Sequence, residues 1–79
     1  MEISKNQDIV IDTLLTTHRE LTAVDLVDYK LHRMCAGGIV LTIKSGGYFY
    51  SYKILSSGAI TETKKSDNGI IFHDLKYFT

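Results

Sequence analysis

Hydrophobic residues in the first part of the chain recur at helical spacing. The stripe consists of Val10, Ile11, Leu14, Leu15 and His18. It follows Ser4-Lys5-Asn6-Gln7, the residue order of a capping box, in which a serine and a glutamine three positions later cap the first helical turn. The pattern predicts a first helix over residues 5–18.

A second capping box follows at Thr22-Ala23-Val24-Asp25, where the threonine oxygen can accept from the backbone and the carboxylate can reach back. Behind it, Val24, Val27 and Leu31 fall on one helical face. We therefore predict a second helix that begins at this box.

Residues 32–47 allow two interpretations. In the first, the second helix ends near Lys30 and a third helix runs over residues 33–45, with Gly47 ending it. The core positions of this third helix are Ala36, Val40 and Ile43. In the second interpretation, the second helix continues through Met34 and Cys35, Gly37 ends it, and residues 39–44 form a strand.

Local propensity favours the strand. Gly37 and Gly38 would each cost a helix interior about 1 kcal/mol relative to alanine. Four of the five residues Ile39 to Ile43 are β-branched, and Leu41 alternates with Ile39 and Ile43. The spacing of the whole N-terminal half, described below, favours the third helix, so both interpretations remain open.

The second half of the chain predicts strands. Residues 48–55 are rich in aromatic and β-branched side chains, Ser56-Ser57-Gly58 is a turn signal, and residues 59–65 form a hairpin partner. Asn68-Gly69 is a strong hairpin signal and predicts a last strand over residues 70–78. With 79 residues and no linker, the chain is expected to be a single domain over residues 1–79.

Composition limits the class of protein and the cellular compartment. The chain is 44% hydrophobic and 23% charged, as in globular proteins, and Cys35 is its only cysteine, which excludes an intrachain disulfide. No segment has the apolar length of a membrane span, and the N-terminus does not have the pattern of a signal peptide. We expect a cytoplasmic protein. Its net charge is zero, with acidic residues concentrated before residue 29 and basic residues after it.

Catalytic and cofactor motifs are missing from the sequence. His32 and Cys35 form an H-x-x-C pair, but a structural zinc site needs four ligands, and only His18 and His73 could supplement them. No nucleophile motif or phosphate-binding loop occurs. We expect no enzyme activity, no metal, no cofactor and no small-molecule substrate.

Residues 6–49 resemble winged-helix regulators, a class that includes small transcriptional regulators of bacteria and phages. The segment Glu20 to Val27 is similar to the opening of the family's second helix, and Leu31-His32-Arg33 lies where the turn enters the recognition helix. The spacing from recognition helix into wing is matched by Ala36, Val40, Ile43, Gly47 and Tyr48.

The resemblance implies an α+β winged helix: three helices, a β-hairpin wing and an extra C-terminal strand. It implies a transcriptional regulator that binds double-stranded DNA as a homodimer or with a partner, the final strand making the dimer contact. The expected DNA contacts are Lys30, His32, Arg33, Thr42, Lys44, Lys53, Lys64 and Lys65.

The alternative is an α+β domain in which two helices pack on a four-stranded antiparallel meander. Such a domain would bind or inhibit another protein through a tyrosine-rich sheet face or an edge strand. The expected partner contacts are Met34, Leu41, Tyr48, Tyr50 and Tyr52. The three tyrosines alternate along one strand and therefore share a face.

Overall fold

The computed structural model describes residues 2–23 and 27–67. The elements of these residues are the helix α1 (Lys5–Thr22) and the strands β1 (Asp28–Arg33), β2 (Ile39–Ser45), β3 (Tyr48–Ile54) and β4 (Ile60–Ser66). A short 3₁₀ turn, Cys35–Gly37, joins β1 to β2. In this described part of the chain, no helix has the length and hydropathy that crossing a membrane requires.

The predicted first helix is confirmed and extends beyond His18 to Thr22. Its capping box forms as expected, since the Gln7 backbone N–H donates to Ser4 Oγ at 3.0 Å and the Ser4 N–H donates to Gln7 Oε1 at 2.8 Å. The helix ends where Ala23 adopts a left-handed conformation with φ of 56°. Its inward stripe contains the predicted Ile11, Leu15 and His18.

The four strands form one antiparallel sheet in the order β1-β2-β3-β4. Leu41 in β2 lies opposite Leu31 in β1 and Tyr52 in β3, which fixes the register of the central strands. Gly46 and Gly47 have φ of 58° and 82°, so two consecutive left-handed residues make the tight turn between β2 and β3. Strands that are adjacent in the sheet are therefore also consecutive in the sequence.

The winged-helix prediction is wrong. The predicted third helix over residues 33–45 is instead the end of β1, the 3₁₀ turn and β2. Ala36, predicted to face the core, is exposed and has φ of 59° in the turn. Glycines and β-branched residues disfavour a helix here, and the strand lies between two partners that satisfy its backbone.

The predicted second helix is corrected as well. Thr22, proposed as its N-cap, belongs to the last turn of α1, where its hydroxyl donates to the His18 carbonyl oxygen at 2.8 Å. Residues 28–33 form β1, because Tyr29 and Leu31 alternate with Lys30 and His32 and the whole segment pairs with β2. Residues 24–26 lie outside the described part.

The alternative prediction, a four-stranded antiparallel meander, fits this topology. The predicted strands over 39–44, 48–55 and 59–65 correspond to β2, β3 and β4, and β1 replaces part of the predicted second helix. The predicted strand over residues 70–78 lies outside the described residues.

The sheet has two unlike faces. We call the side that α1 covers the first face and the opposite side the second face. The core between α1 and the first face consists of Ile11, Leu15, Ile39, Leu41, Ile43, Tyr52 and Ile54. Alternation along the strands places Val40, Thr42, Ser51 and Lys53 on the second face.

Candidate functional site

The sheet separates the residues that were predicted to contact DNA. Those on the second face are Lys30, His32, Thr42, Lys44, Lys53 and Lys64, whereas Arg33 and Lys65 lie on the first face. Thr42 is fully buried, so its side chain does not reach the surface. The recognition helix that was to present Arg33, Thr42 and Lys44 to a groove is absent from this segment, which forms β2 and the turn before it.

An ion network occupies one side of the second face. Glu62 contacts the ammonium groups of Lys53 and Lys64, each at 2.9 Å. The hydrogen bond from Lys64, followed by that from Lys53, lowers the pKa of the Glu62 carboxyl. On the same face, the Lys44 ammonium lies 5.9 Å from the centroid of the Phe49 ring. Two of the predicted phosphate-binding lysines are therefore already paired with a carboxylate.

The residues predicted for partner binding are also divided. Leu41 is fully buried and Tyr52 is buried, both in the core beneath α1, so their prediction as contact residues is corrected. Met34 is half-buried in the connection between β1 and β2. Of the three predicted tyrosines, Tyr48 and Tyr50 remain accessible on their shared face. Tyr48 is 41% exposed and Tyr50 is half-buried.

Tyr48 and Tyr50 form a surface together with Lys65, which we call the tyrosine–lysine patch. Lys65 lies directly opposite Tyr50 in the β3–β4 pairing. Its ammonium is 4.1 Å from the centroid of the Tyr48 ring and 5.7 Å from that of Tyr50. Both distances are within the range of cation–π attraction, which orders the lysine side chain over the two rings. The patch is thus an aromatic surface that carries a positive charge.

A buried polar network supports the patch from below. His18 of α1 contacts Ser45 Oγ through Nδ1 at 3.2 Å and the Tyr52 hydroxyl through Nε2 at 2.8 Å. The imidazole also packs against the Tyr50 ring, with centroids 4.5 Å apart and planes tilted by 51°. The position of Tyr50 is therefore set by a side chain that is itself held at both nitrogens.

Burial shifts the titration of this network. Desolvation lowers the pKa of His18 below its ordinary 6.5. Desolvation also raises the pKa of the Tyr52 hydroxyl, and the nearby Tyr50 adds to that shift. Both shifts favour the neutral forms, so at neutral pH the network is an uncharged chain of hydrogen bonds under the patch.

The lowered pKa of His18 predicts a pH-dependent stability. Because the folded state binds a proton less readily than the unfolded state, the contribution is complete above pH 6.5 and falls as the pH drops below it, through the folded-state pKa. We expect the urea midpoint to decrease from pH 8 to pH 5. The substitution His18→Gln keeps hydrogen-bonding groups without a charge and should remove part of this decrease.

A companion variant, His32→Gln, tests the other histidine that burial affects. Burial also lowers the pKa of His32, which lies on the second face, so this variant should remove a separate part of the same decrease. Unfolding curves at half-unit pH steps measure both effects. If His18→Gln and the wild type had identical pH profiles, His18 would not be buried in its neutral form.

Sequence reasoning missed the roles of Lys65 and His18. Lys65 was predicted to contact phosphate, but an irregularity between Lys53 and Ile54 shifts the β3–β4 register by one residue and places Lys65 across from Tyr50. His18 was recognised as part of the helical stripe and as a poor zinc ligand. The available signal was its position in that stripe, because a polar residue on a buried helix face needs partners there.

A shallow cleft of about 330 Å³ lies at the end of the sheet nearest the C-terminus of α1. Its lining residues are Thr22, Val27, Asp28, Lys44, Ser45, Gly46 and Gly47. The cleft adjoins the tyrosine–lysine patch along the chain, because its lining residue Gly47 directly precedes Tyr48. Across residues 2–23 and 27–67, no three His, Cys, Asp or Glu side chains come together in a metal-binding group.

Comparison with known proteins gives no assignment. No protein-family model, no curated protein and no solved structure matches the chain.

Proposed function

We propose that the protein is a small protein-binding domain and that the tyrosine–lysine patch is its contact surface. The observation that supports this function is the Lys65 ammonium 4.1 Å from the Tyr48 ring and 5.7 Å from the Tyr50 ring, on a face that α1 leaves partly open. Tyrosine contributes large contact area with little loss of side-chain entropy, which is why it is frequent among the dominant residues of interfaces.

Order in the patch before binding supports the same function. His18 packs on Tyr50 and Lys65 lies over both rings, so these contacts favour one arrangement of the side chains that a partner would meet. Immobilising a flexible side chain at an interface costs about 0.5–1.5 kcal/mol. The packing of Tyr50 on His18 reduces that loss for the Tyr50 ring.

The patch also indicates what a partner would present. Two tyrosine rings offer apolar surface and hydroxyl groups, and Lys65 adds a positive charge. A complementary segment brings an apolar or aromatic side chain to the rings and a carboxylate or carbonyl oxygen to the ammonium. The cleft beyond Gly47 provides a recess for a neighbouring side chain of that segment.

The DNA-binding alternative has less support. The segment expected to form a recognition helix is β2, and Lys53 and Lys64 are engaged by Glu62. Lys65, expected to bind phosphate, lies over tyrosine rings on the first face. We therefore retain DNA only as an outcome that the binding experiment distinguishes.

The test compares Tyr48→Ala with Tyr29→Ala. Tyr29 is the matched control, because it is 47% exposed against 41% for Tyr48 and lies on β1 at the other side of the sheet. Tagged wild type and variants are used for quantitative affinity enrichment, and each protein lost with Tyr48→Ala but kept with Tyr29→Ala is purified. Its dissociation constant is then measured by calorimetry with all three chains.

We expect Tyr48→Ala to weaken binding by about 2 kcal/mol, or roughly thirtyfold, and Tyr29→Ala to change it little. Lys65→Glu should weaken it further if the partner presents a carboxylate. The same chains are titrated into a fluorescent 20-base-pair duplex at low salt. The proposal fails if the duplex binds and Lys65→Glu or Lys44→Glu abolishes that binding, while no purified protein discriminates between the tyrosine variants.

A further inference from the structure

His18 joins the tyrosine–lysine patch to the interior of the domain. The imidazole is 5% exposed, and its centroid lies 4.5 Å from that of the half-buried Tyr50 ring. Its Nδ1 is 3.2 Å from Ser45 Oγ on β2, and its Nε2 is 2.8 Å from the Tyr52 hydroxyl on β3. A change of charge on this imidazole therefore acts directly on a ring of the patch.

The two hydroxyl contacts favour a neutral imidazole. A neutral ring has one nitrogen that donates and one that accepts, so one of the two hydroxyls donates to it. Protonation makes both nitrogens donors, and the hydroxyl that had donated loses its acceptor. Within residues 2–23 and 27–67, the side chains of Ser45 and Tyr52 make no other hydrogen bond. Since an unpaired buried hydroxyl is unfavourable, the protonated ring does not keep the same arrangement.

The described residues place no negative charge against the imidazole of His18. The side chains that contact it are a serine and two tyrosines, and it takes part in neither of the ion pairs of this part of the chain. On α1, the adjacent Arg19 and Glu20 project about 100° and 200° away from it. The Lys65 ammonium lies 5.7 Å from the Tyr50 centroid, so a second positive charge would arise within about 10 Å of the first.

We propose that His18 is a proton switch for the tyrosine–lysine patch: proton uptake displaces the imidazole from the Tyr50 ring, disturbs the contact of that ring with Lys65 and weakens partner binding. This inference rests on the proposed function, because it describes the regulation of the same surface. Burial lowers the pKa of His18 below 6.5, so the imidazole is neutral at neutral pH and the change occurs in acidic solution.

Partner binding and protonation oppose each other by thermodynamic linkage. A partner that binds the arrangement with a neutral imidazole lowers the pKa of His18 further, and acid weakens the binding of that partner by the same factor. For a partner that distinguishes Tyr48→Ala from Tyr29→Ala, we expect binding to be about fivefold weaker at pH 5 than at pH 7.5. The substitution His18→Gln should remove this dependence, and an unchanged dependence in that variant would contradict the switch.

The principal test needs no partner and uses NMR spectra of the full-length chain between pH 4.5 and pH 8. We expect the nuclear Overhauser contact between the Lys65 side chain and the Tyr50 ring to weaken with the same midpoint as the His18 ring resonances. The ring of Tyr29, which is 47% exposed on β1, should not follow that midpoint. The pH dependence of the contact should disappear in His18→Gln and persist in His32→Gln.

The reciprocal effect is measured with Tyr50→Ala. Removing this ring admits water to the imidazole, so the pKa of His18 should rise towards its ordinary value. The matched control is Tyr48→Ala, which removes a ring of the same patch. The ring contacts of His18 in the described structure are with Tyr50 and Tyr52, so this control should leave its pKa unchanged.

Three results would overturn the proposal: a contact between Lys65 and Tyr50 that stays constant while His18 titrates, a pH dependence of that contact that persists in His18→Gln, or the same pKa of His18 in the wild type and in Tyr50→Ala. If His18→Gln does not fold, the wild-type titration and Tyr50→Ala decide. A patch that binds no protein would fail the affinity comparison described above, whereas the titration of the free protein would still show the coupling.

Discussion

Replacing Leu41 by alanine is expected to lower the free energy of unfolding by about 3–4 kcal/mol, the range for a fully buried leucine. Leu41 has no exposed surface and lies at the middle of the central strand β2, between Leu31 and Tyr52 and beneath α1. Truncating it leaves a cavity that its neighbours on β1 and β3 cannot fill, because their backbones are fixed by the sheet. Urea unfolding followed by circular dichroism measures the change.

Lys44→Ala is the control in the same strand. Lys44 is exposed on the second face, so its removal should change stability by no more than about 0.5 kcal/mol. The pair also separates the two interpretations of residues 32–47, since a third helix that buries Ala36, Val40 and Ile43 places Leu41 outward. Equal, small effects of Leu41→Ala and Lys44→Ala would contradict the sheet described above.

Replacing Gln7 by alanine should cost about 3 kcal/mol or more, since several buried groups lose their partners together. Gln7 is buried, and its Nε2 donates to the carbonyl oxygens of Gly37 at 2.7 Å and Ile54 at 3.3 Å. Its Oε1 accepts from the Ser4 N–H at 2.8 Å. One side chain therefore caps α1 and joins the helix to the 3₁₀ turn and to the end of β3.

Thr13→Ala provides the control on the same helix. Its hydroxyl donates only to the Ile9 carbonyl oxygen within an exposed turn, and its loss should have little effect. Gln7→Glu keeps the acceptor for Ser4 but brings a carboxylate oxygen towards two carbonyl oxygens, so it should be as destabilising as Gln7→Ala. Should both Gln7 variants unfold at the same urea concentration as Thr13→Ala, the proposed joint between helix and sheet would not exist.

The sequence predicts α1 well because its signals are local and agree. A capping box, an apolar stripe and the absence of glycine all favour a helix over the same residues. The strands β3 and β4 were predictable for the same reason, since alternating aromatic and β-branched residues flank a clear turn. Neither prediction needed knowledge of distant contacts.

The prediction of helices over residues 22–45 was wrong because helical spacing was weighted above local strand propensity. Ala36, Val40 and Ile43 match the spacing of a recognition helix, but the same segment contains Gly37 and Gly38. At β1, Leu31 has helical spacing with Val27, which precedes the strand, and strand spacing with Tyr29, which lies within it. The outcome depends on pairing with β2, a contact that the sequence of β1 alone does not encode.

The candidate site was partly predictable. Alternation showed that Tyr48, Tyr50 and Tyr52 share a face, but the position of α1 decides which rings remain accessible. Tyr52 lies under the helix and binds His18, whereas Tyr48 extends past it. Lys65 lies beside the rings because the β3–β4 register pairs it with Tyr50. That register depends on an irregularity between Lys53 and Ile54, which no sequence pattern predicts.

The central claim is that β2 and β3 form a sheet with Leu41 and Tyr52 paired beneath α1, which leaves the tyrosine–lysine patch as the accessible aromatic surface. The most direct test is the NMR assignment of residues 28–54 in the full-length chain. We predict strand-type Cα and Cβ shifts for residues 39–45, with cross-strand contacts from Leu41 to Leu31 and to Tyr52. Helical shifts over residues 39–45, without those cross-strand contacts, would contradict it.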